Sequence, residues 1–228
     1  MTQIKICGLQ STADAEIMNA FGPDFVGFVF APSKRQVDRI TAAQISSRLN
    51  AAILRVGVFV NEKAEVIAQT VSEVDLDVVQ LHSDTTPDYL FELKNGLKKA
   101  SGKQVAIWQR IAVPLGAKNV SEVLSRIRSY PEVAFYDAIL FDVITDRSNG
   151  GSGVPFPWSI GCEAAEILRQ KNPKIIIAGG ISAENAQKAV EIFRPFAIDV
   201  SGSVETDGKK DAEKVQRLIM TVKKRGST

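Results

Sequence analysis

Few residues in the 228-residue chain can do acid–base chemistry: it has one histidine and two cysteines. Cys7 closes a short apolar run and is followed by Gly8, which leaves the thiol accessible. A thiol there can serve as base or nucleophile if a positive field lowers its pKa from about 8.5. A free cysteine is equally at home as a small buried hydrophobe, and position alone leaves both readings open. Cys162, inside a predicted helix, takes the buried reading. Asp142 ends the apolar run 138–141, where desolvation would raise its pKa and suit it to donating a proton near neutral pH. Capping is the competing role, but Ser148 and Asn149 in the following loop can supply it, so Asp142 is read as catalytic. Asp137 and Asp146 read as solvated loop residues.

Two turns, Gly179-Gly180 and Ser201-Gly202-Ser203, offer bare backbone N–H groups of the kind that cradle a phosphate dianion. Either turn alone is commonplace. Their occurrence together after the last two apolar runs points to a phosphorylated small-molecule substrate. His82, the only histidine, argues against a divalent-metal site, which usually gathers several histidines with carboxylates. It is read as lining the pocket or as a hydrogen-bonded structural residue. Lys5 lies two residues before Cys7, and Asp199 two before Ser201, so along a strand each pair shares a face. A Lys5–Asp199 ion pair is expected. Its role is structural first, since either charge alone inside a core would be costly, and a Schiff-base lysine is the lesser reading.

The elements that must position these residues follow a regular alternation. Apolar strand-like runs are predicted at 4–7, 25–30, 54–60, 77–81, 105–111, 138–141, 175–178 and 197–200. Between them lie helix-period segments: one from Ser11 or Thr12 to near Phe21, then 41–50, 62–74, 87–99, 120–130, 158–171, 183–193 and 211–223. Near-continuous apolar strands indicate a parallel sheet covered by helices. Eight units without a break in composition predict an α/β chain folded as a single (β/α)8 TIM barrel over residues 1–228. No GxGxxG follows the first strand, which removes the main support for a dinucleotide-binding sheet. In a barrel the working residues sit at the carboxyl ends of the strands. Here those ends carry Cys7, residues 33–35, Asn61, Gln80 with His82, Arg110, Asp142, Gly179 with Gly180, and residues 201–203.

Composition excludes several other classes. The net charge is only +2 and the basic residues are interleaved with acidic ones, so no stripe suits a nucleic-acid backbone. The densest cluster, Lys223, Lys224 and Arg225, complements the negative end of the last helix. No stretch approaches the roughly 20 apolar residues of a membrane span, and no signal core is seen near Met1. Two distant cysteines suit a reducing compartment, and a cytoplasmic location is expected. The sequence leaves monomer and homodimer equally open.

The strings Lys5-Ile6-Cys7-Gly8-Leu9, Gly27-Phe28-Val29-Phe30, Val56-Gly57-Val58-Phe59-Val60-Asn61, Val79-Gln80-Leu81-His82, Gly150-Gly151-Ser152-Gly153, Ala178-Gly179-Gly180-Ile181 and Asp199-Val200-Ser201 occur in an order and spacing that span the chain. Together they resemble the phosphoribosylanthranilate isomerase family. The resemblance implies a cofactor-free Amadori rearrangement of N-(5-phosphoribosyl)anthranilate in tryptophan biosynthesis. It implies Asp142 as the general acid that opens the furanose ring and Cys7 as the base that takes the C2′ proton. It also implies Arg35 as the fork that meets the anthranilate carboxylate. The chain departs from the family pattern at Gly202-Ser203, which replaces Ser-Gly, and at Pro157, Ser83 and Gln36. The first departure touches the phosphate cradle, because serine is disfavoured at a positive φ. The competing functions are another sugar-phosphate isomerase, an epimerase or an aldolase on the same barrel, or an inactive barrel acting as a binding protein. A metal-dependent epimerase would need histidines that the chain lacks.

Overall fold

The computed structural model describes residues 1–114, 119–128, 135–144, 158–170 and 174–223. Strands β1 (Gln3–Cys7), β2 (Phe25–Val29), β3 (Leu54–Phe59), β4 (Val78–Leu81), β5 (Ala106–Pro114), β6 (Ala138–Ile144), β7 (Lys174–Ala178) and β8 (Ala197–Val200) pair in parallel in chain order. β8 returns to β1, with Asp199 opposite Lys5, and closes the barrel. Each strand is followed by a helix: α1 (Thr12–Phe21), α2 (Arg39–Ser46), α3 (Ala64–Val74), α4 (Pro87–Ala100), α5 (Val120–Arg128), α6 (Trp158–Arg169), α7 (Ala186–Phe193) and α8 (Ala212–Lys223). The TIM-barrel reading of the sequence therefore holds.

Strand alternation divides the interior in two. One cluster, including Phe25, Val56, Val78, Trp108, Leu140 and Ile176, fills the barrel itself. The other set, including Ile4, Ile6, Val26, Phe28, Ile139 and Ile198, packs outward under the helices. With Ile4 and Ile6 facing out, Lys5 and Cys7 must face in. The loop after β1 ends where its helix is capped. Ser11 accepts from the Asp14 N–H while the Asp14 carboxylate accepts from the Ser11 N–H, a capping box that ends the β1 loop sharply.

Several boundaries differ from the sequence expectation. β5 and β6 run three residues further, paired up to Pro114 and Ile144. The polar Asp142 does not stop its strand, because a side chain projecting into the barrel leaves the backbone ladder intact. α2 starts at Arg39, capped by Asp38, and ends by Ser46, while α7 starts at Ala186 rather than 183. A two-stranded hairpin, β9 (Glu205–Thr206) and β10 (Lys209–Lys210), lies between β8 and α8 and was not expected. The glycine-rich loop 145–155 with Asp146, Ser148, Asn149 and the Gly150–Gly153 motif lies outside the described residues, as do Pro157, Lys224 and Arg225.

Candidate active site

The carboxyl ends of the strands open into a cavity of about 520 Å³. Cys7 reaches it from β1, Arg35 from the loop after β2, His82 from the end of β4 and Asp142 from β6. Gly179 and Gly180 line it after β7, and Ser201, Gly202 and Ser203 after β8. The candidate site residues from the sequence thus share one cavity, whereas Asn61, also singled out at a strand end, lines a separate pocket with Glu62 and Ser83.

Cys7 stands opposite Gly27 in the β1–β2 ladder. A Cβ at position 27 would lie 2.6 Å from the Cys7 sulfur, so this glycine is what gives the thiol its room. Cys7 keeps some surface toward the cavity, yet enclosure by the strands pushes its thiol above the ordinary cysteine value. The nearby Lys5 charge offsets this only in part, so the lowered thiol pKa expected from the sequence is not found. Lys5 itself is fully buried, with its ammonium 2.9 Å from Asp199. Burial alone would lower it, but the charge and hydrogen bond of Asp199 hold it up as a cation. The other Asp199 oxygen, Oδ1, is buried without a protein partner among the described residues.

Asp142 is neither at the end of its strand nor desolvated. Its side chain is 26% exposed, and Arg110 Nε on the adjacent β5 donates to its Oδ2 at 2.8 Å. The expected desolvation is therefore replaced by an ion pair at the rim. His82 sits 2.5 Å from the Gln80 amide nitrogen through Nε2. Burial, aided by the positive charges of Arg110 and Lys5, lowers its pKa to about 3, so it is neutral at physiological pH and contributes hydrogen bonding rather than charge.

Gly179 and Gly180 adopt left-handed φ angles of 89° and 71°. Ser203 Oγ donates to the Ile181 carbonyl at 2.6 Å, tying the β8 turn to the β7 turn, and Ser201 Oγ donates to the Cys7 carbonyl at 3.0 Å. Both hydroxyl protons are thus committed to the backbone, and what these turns can present to an anion is main-chain N–H. Neither Gly202 nor Ser203 has a positive φ, so the Gly-Ser order costs no backbone strain.

The sequence reading missed Glu205 and Lys210. Glu205 receives the Arg35 fork in two hydrogen bonds of 2.7 Å, and Lys210 reaches Glu205 at 2.7 Å and the Cys7 carbonyl at 2.6 Å. An available signal was Asp207-Gly208, a dipeptide typical of tight hairpins, whose two residues take φ angles of 50° and 78°. Also missed was the pairing of Arg110 with Asp142, although both positions stood at strand ends in the sequence reading.

Chemically, the cavity offers a thiol, the carboxylates of Asp142 and Asp199, a neutral imidazole, the guanidinium groups of Arg35 and Arg110, and two glycine-containing turns. Among the described residues no group of three or more His, Cys, Asp and Glu could hold a metal ion. No helix among them is long and apolar enough to cross a membrane.

A family model described as N-(5'phosphoribosyl)anthranilate (PRA) isomerase matches residues 4–221. The chain is 41% identical over 223 residues to N-(5'-phosphoribosyl)anthranilate isomerase of Acetivibrio thermocellus, covering 98% of this chain and 96% of that one. Among solved structures it is similar to monomers of the dimeric phosphoribosylanthranilate isomerase of Thermotoga maritima, with a TM-score of 0.77, 32% identity and coverage of 98% and 100% of the two chains. It is also similar to a phosphoribosyl anthranilate isomerase in complex with reduced 1-(o-carboxyphenylamino)-1-deoxyribulose 5-phosphate, with a TM-score of 0.74, 31% identity and coverage of 98% and 100%.

Proposed function

The chain belongs to the N-(5'-phosphoribosyl)anthranilate isomerase family, and on that premise we propose how its barrel mouth works, with Asp142 as general acid and Cys7 as general base. It is an isomerase of tryptophan biosynthesis, converting N-(5'-phosphoribosyl)anthranilate to 1-(2-carboxyphenylamino)-1-deoxyribulose 5-phosphate. Asp142 delivers a proton to the furanose ring oxygen. The C1′–O bond breaks, and the nitrogen lone pair forms a protonated Schiff base. Cys7, as thiolate, then removes the C2′ proton, and the C–H electrons flow into an enolamine that tautomerises to the ketone. The reaction is an internal redistribution of hydrogen and needs no outside oxidant. The positive charge on the Schiff-base nitrogen acts in the same sense as Lys5, drawing the thiol toward thiolate at the moment a base is required.

Arg35 meets the anthranilate carboxylate with its planar guanidinium, and His82 packs beside the substrate as a neutral group. Main-chain N–H groups of Gly180, Gly202 and Ser203 hold the phosphate, within turns formed by Gly179 and Ser201. For Asp142 to carry a proton, the substrate must loosen its bond to Arg110, and the Arg35 fork must serve the substrate while engaged by Glu205. The same reading takes residues 1–228 as one barrel domain, acting in the cytoplasm as a monomer or homodimer on a small phosphorylated substrate, without a nucleic-acid or membrane partner.

The observation that carries the reading is the meeting of thiol, carboxylate, guanidinium and twin glycine turns around one cavity at the strand ends. Its test is fluorescence decay on supplying the purified protein with N-(5'-phosphoribosyl)anthranilate. Loss of the anthranilate signal with formation of the ribulose product is expected. Release of free anthranilate at only the spontaneous rate would leave an inactive barrel.

A further inference from the structure

We propose that Glu205 and Lys210, facing each other across the hairpin after β8, are positioning residues that clamp the Arg35 guanidinium and the Cys7 backbone into one unit. The proposal rests on the reading of Arg35 as the carboxylate holder and Cys7 as the base. It goes further by saying what sets their relative placement.

Each link has a geometric cause. The Asp207-Gly208 turn puts Lys210 directly opposite Glu205. Glu205 accepts from Arg35 Nε and Nη2 at 2.7 Å each, a fork-to-fork contact that fixes the plane of the guanidinium as well as its position. That contact uses one edge of the group; among the described residues nothing engages Nη1, which remains for a ligand carboxylate. Glu205 Oε1 also accepts from Lys210 Nζ, whose side chain is 1% exposed. The ammonium spends its other donors on the carbonyls of Cys7 at 2.6 Å and Ser201 at 3.3 Å. The Cys7 carbonyl therefore receives Lys210 and the Ser201 hydroxyl together. From the other side the Arg35 stem lies across Gly8, where φ is 85° and a Cβ would come within 2.4 Å of Arg35 Cδ. Burial works to raise the Glu205 carboxyl, but the hydrogen bonds and charges of Arg35 and Lys210 hold it down at about 2, so Glu205 stays an anion; burial pulls the Lys210 ammonium below its ordinary value, and the charge and hydrogen bond of Glu205 oppose that. An apolar pair could anchor the hairpin as firmly; only the charged chain gives the guanidinium a direction.

Steady-state kinetics on two substrates test this, N-(5-phosphoribosyl)anthranilate and the carboxylate-free N-(5-phosphoribosyl)aniline, each with wild type, Arg35→Ala, Glu205→Gln, Glu205→Asp and Lys210→Met. Glu205→Gln should raise KM for the anthranilate substrate about tenfold, keep kcat within about threefold, and leave KM for the aniline substrate unchanged. Glu205→Asp keeps the charge but loses the reach, and should behave in the same way. Lys210→Met should lower kcat about tenfold on both substrates, because it frees the Cys7 carbonyl, which the carboxylate does not touch. Comparing two substrates on one preparation cancels any misfolded fraction from KM. Equal KM changes on the two substrates for both Glu205 variants, or none, would reduce the hairpin to a structural element and overturn the proposal, provided that Arg35→Ala still discriminates between them. If Arg35→Ala fails to discriminate, the assignment of Arg35 is wrong and the clamp falls with it.

Discussion

Cys7 and Asp142 face one cavity with opposite surroundings. The thiol is enclosed, with the Lys5 and Lys210 cations nearby, whereas the carboxylate stands half-open against Arg110. Because enclosure raises the thiol, its reactive form is populated only on the alkaline side of the ordinary cysteine value; the thiolate gains as pH rises and is already the minor form at neutrality. Alkylation of Cys7 by iodoacetamide in the free enzyme should therefore accelerate continuously through neutral pH without levelling off. A plateau below neutrality would show a thiolate already formed and contradict the placement. At this scale the candidate base and acid were legible in the sequence, Cys7 as the last residue of β1 and Asp142 as the polar residue after the apolar run 138–141, although β6 runs on past it. Their partners were not: Arg110 reaches Asp142 diagonally on the neighbouring strand, and Glu205 meets Arg35 from 170 residues away in the chain.

Elements were legible wherever burial repeats with a fixed period. The eight strands and the helices between them could be read because one face of each must meet a core, and the start of α1 because Ser11 or Thr12 can cap it; the structure selects Ser11 and adds Asp14. β9 and β10, two residues each, carry too little periodicity to be seen. Asp142 misled the reading of β6, since a polar residue was taken as the end of an apolar run. The β1–β2 ladder also makes a specific prediction. Gly27→Ala would bring a methyl to within 2.6 Å of the Cys7 sulfur and 3.1 Å of its Cα, so either the thiol turns or the ladder shifts. Turnover should drop on the order of 10²-fold while thermal unfolding stays cooperative, because an ångström of misplacement at a reacting group has that effect. Normal kcat in this variant would mean that the thiol is not held against Gly27.

At the scale of the whole molecule, closure depends on β1 meeting β8, and at that seam lies the buried Lys5–Asp199 pair. Breaking one side of such a pair strands the other charge, so Lys5→Met should cost on the order of 3–5 kcal/mol in chemical denaturation, and adding Asp199→Leu should recover much of it. Equal stability of Lys5→Met and the parent would show that the seam does not depend on the pair. The order of the strands, and so this neighbourhood of first and last, was legible from the count of eight units; the barrel follows from α/β alternation without any single residue declaring it.

The central claim, that the thiol of Cys7 takes the C2′ proton, is tested most directly by the turnover number of Cys7→Ser on N-(5'-phosphoribosyl)anthranilate. A serine hydroxyl fills nearly the same space but does not ionise near neutral pH. General acid–base groups contribute roughly 10²–10⁴-fold, so kcat should fall by at least that range while KM changes little. Near-normal kcat in Cys7→Ser would contradict the account, returning Cys7 to the role of a buried, inert cysteine.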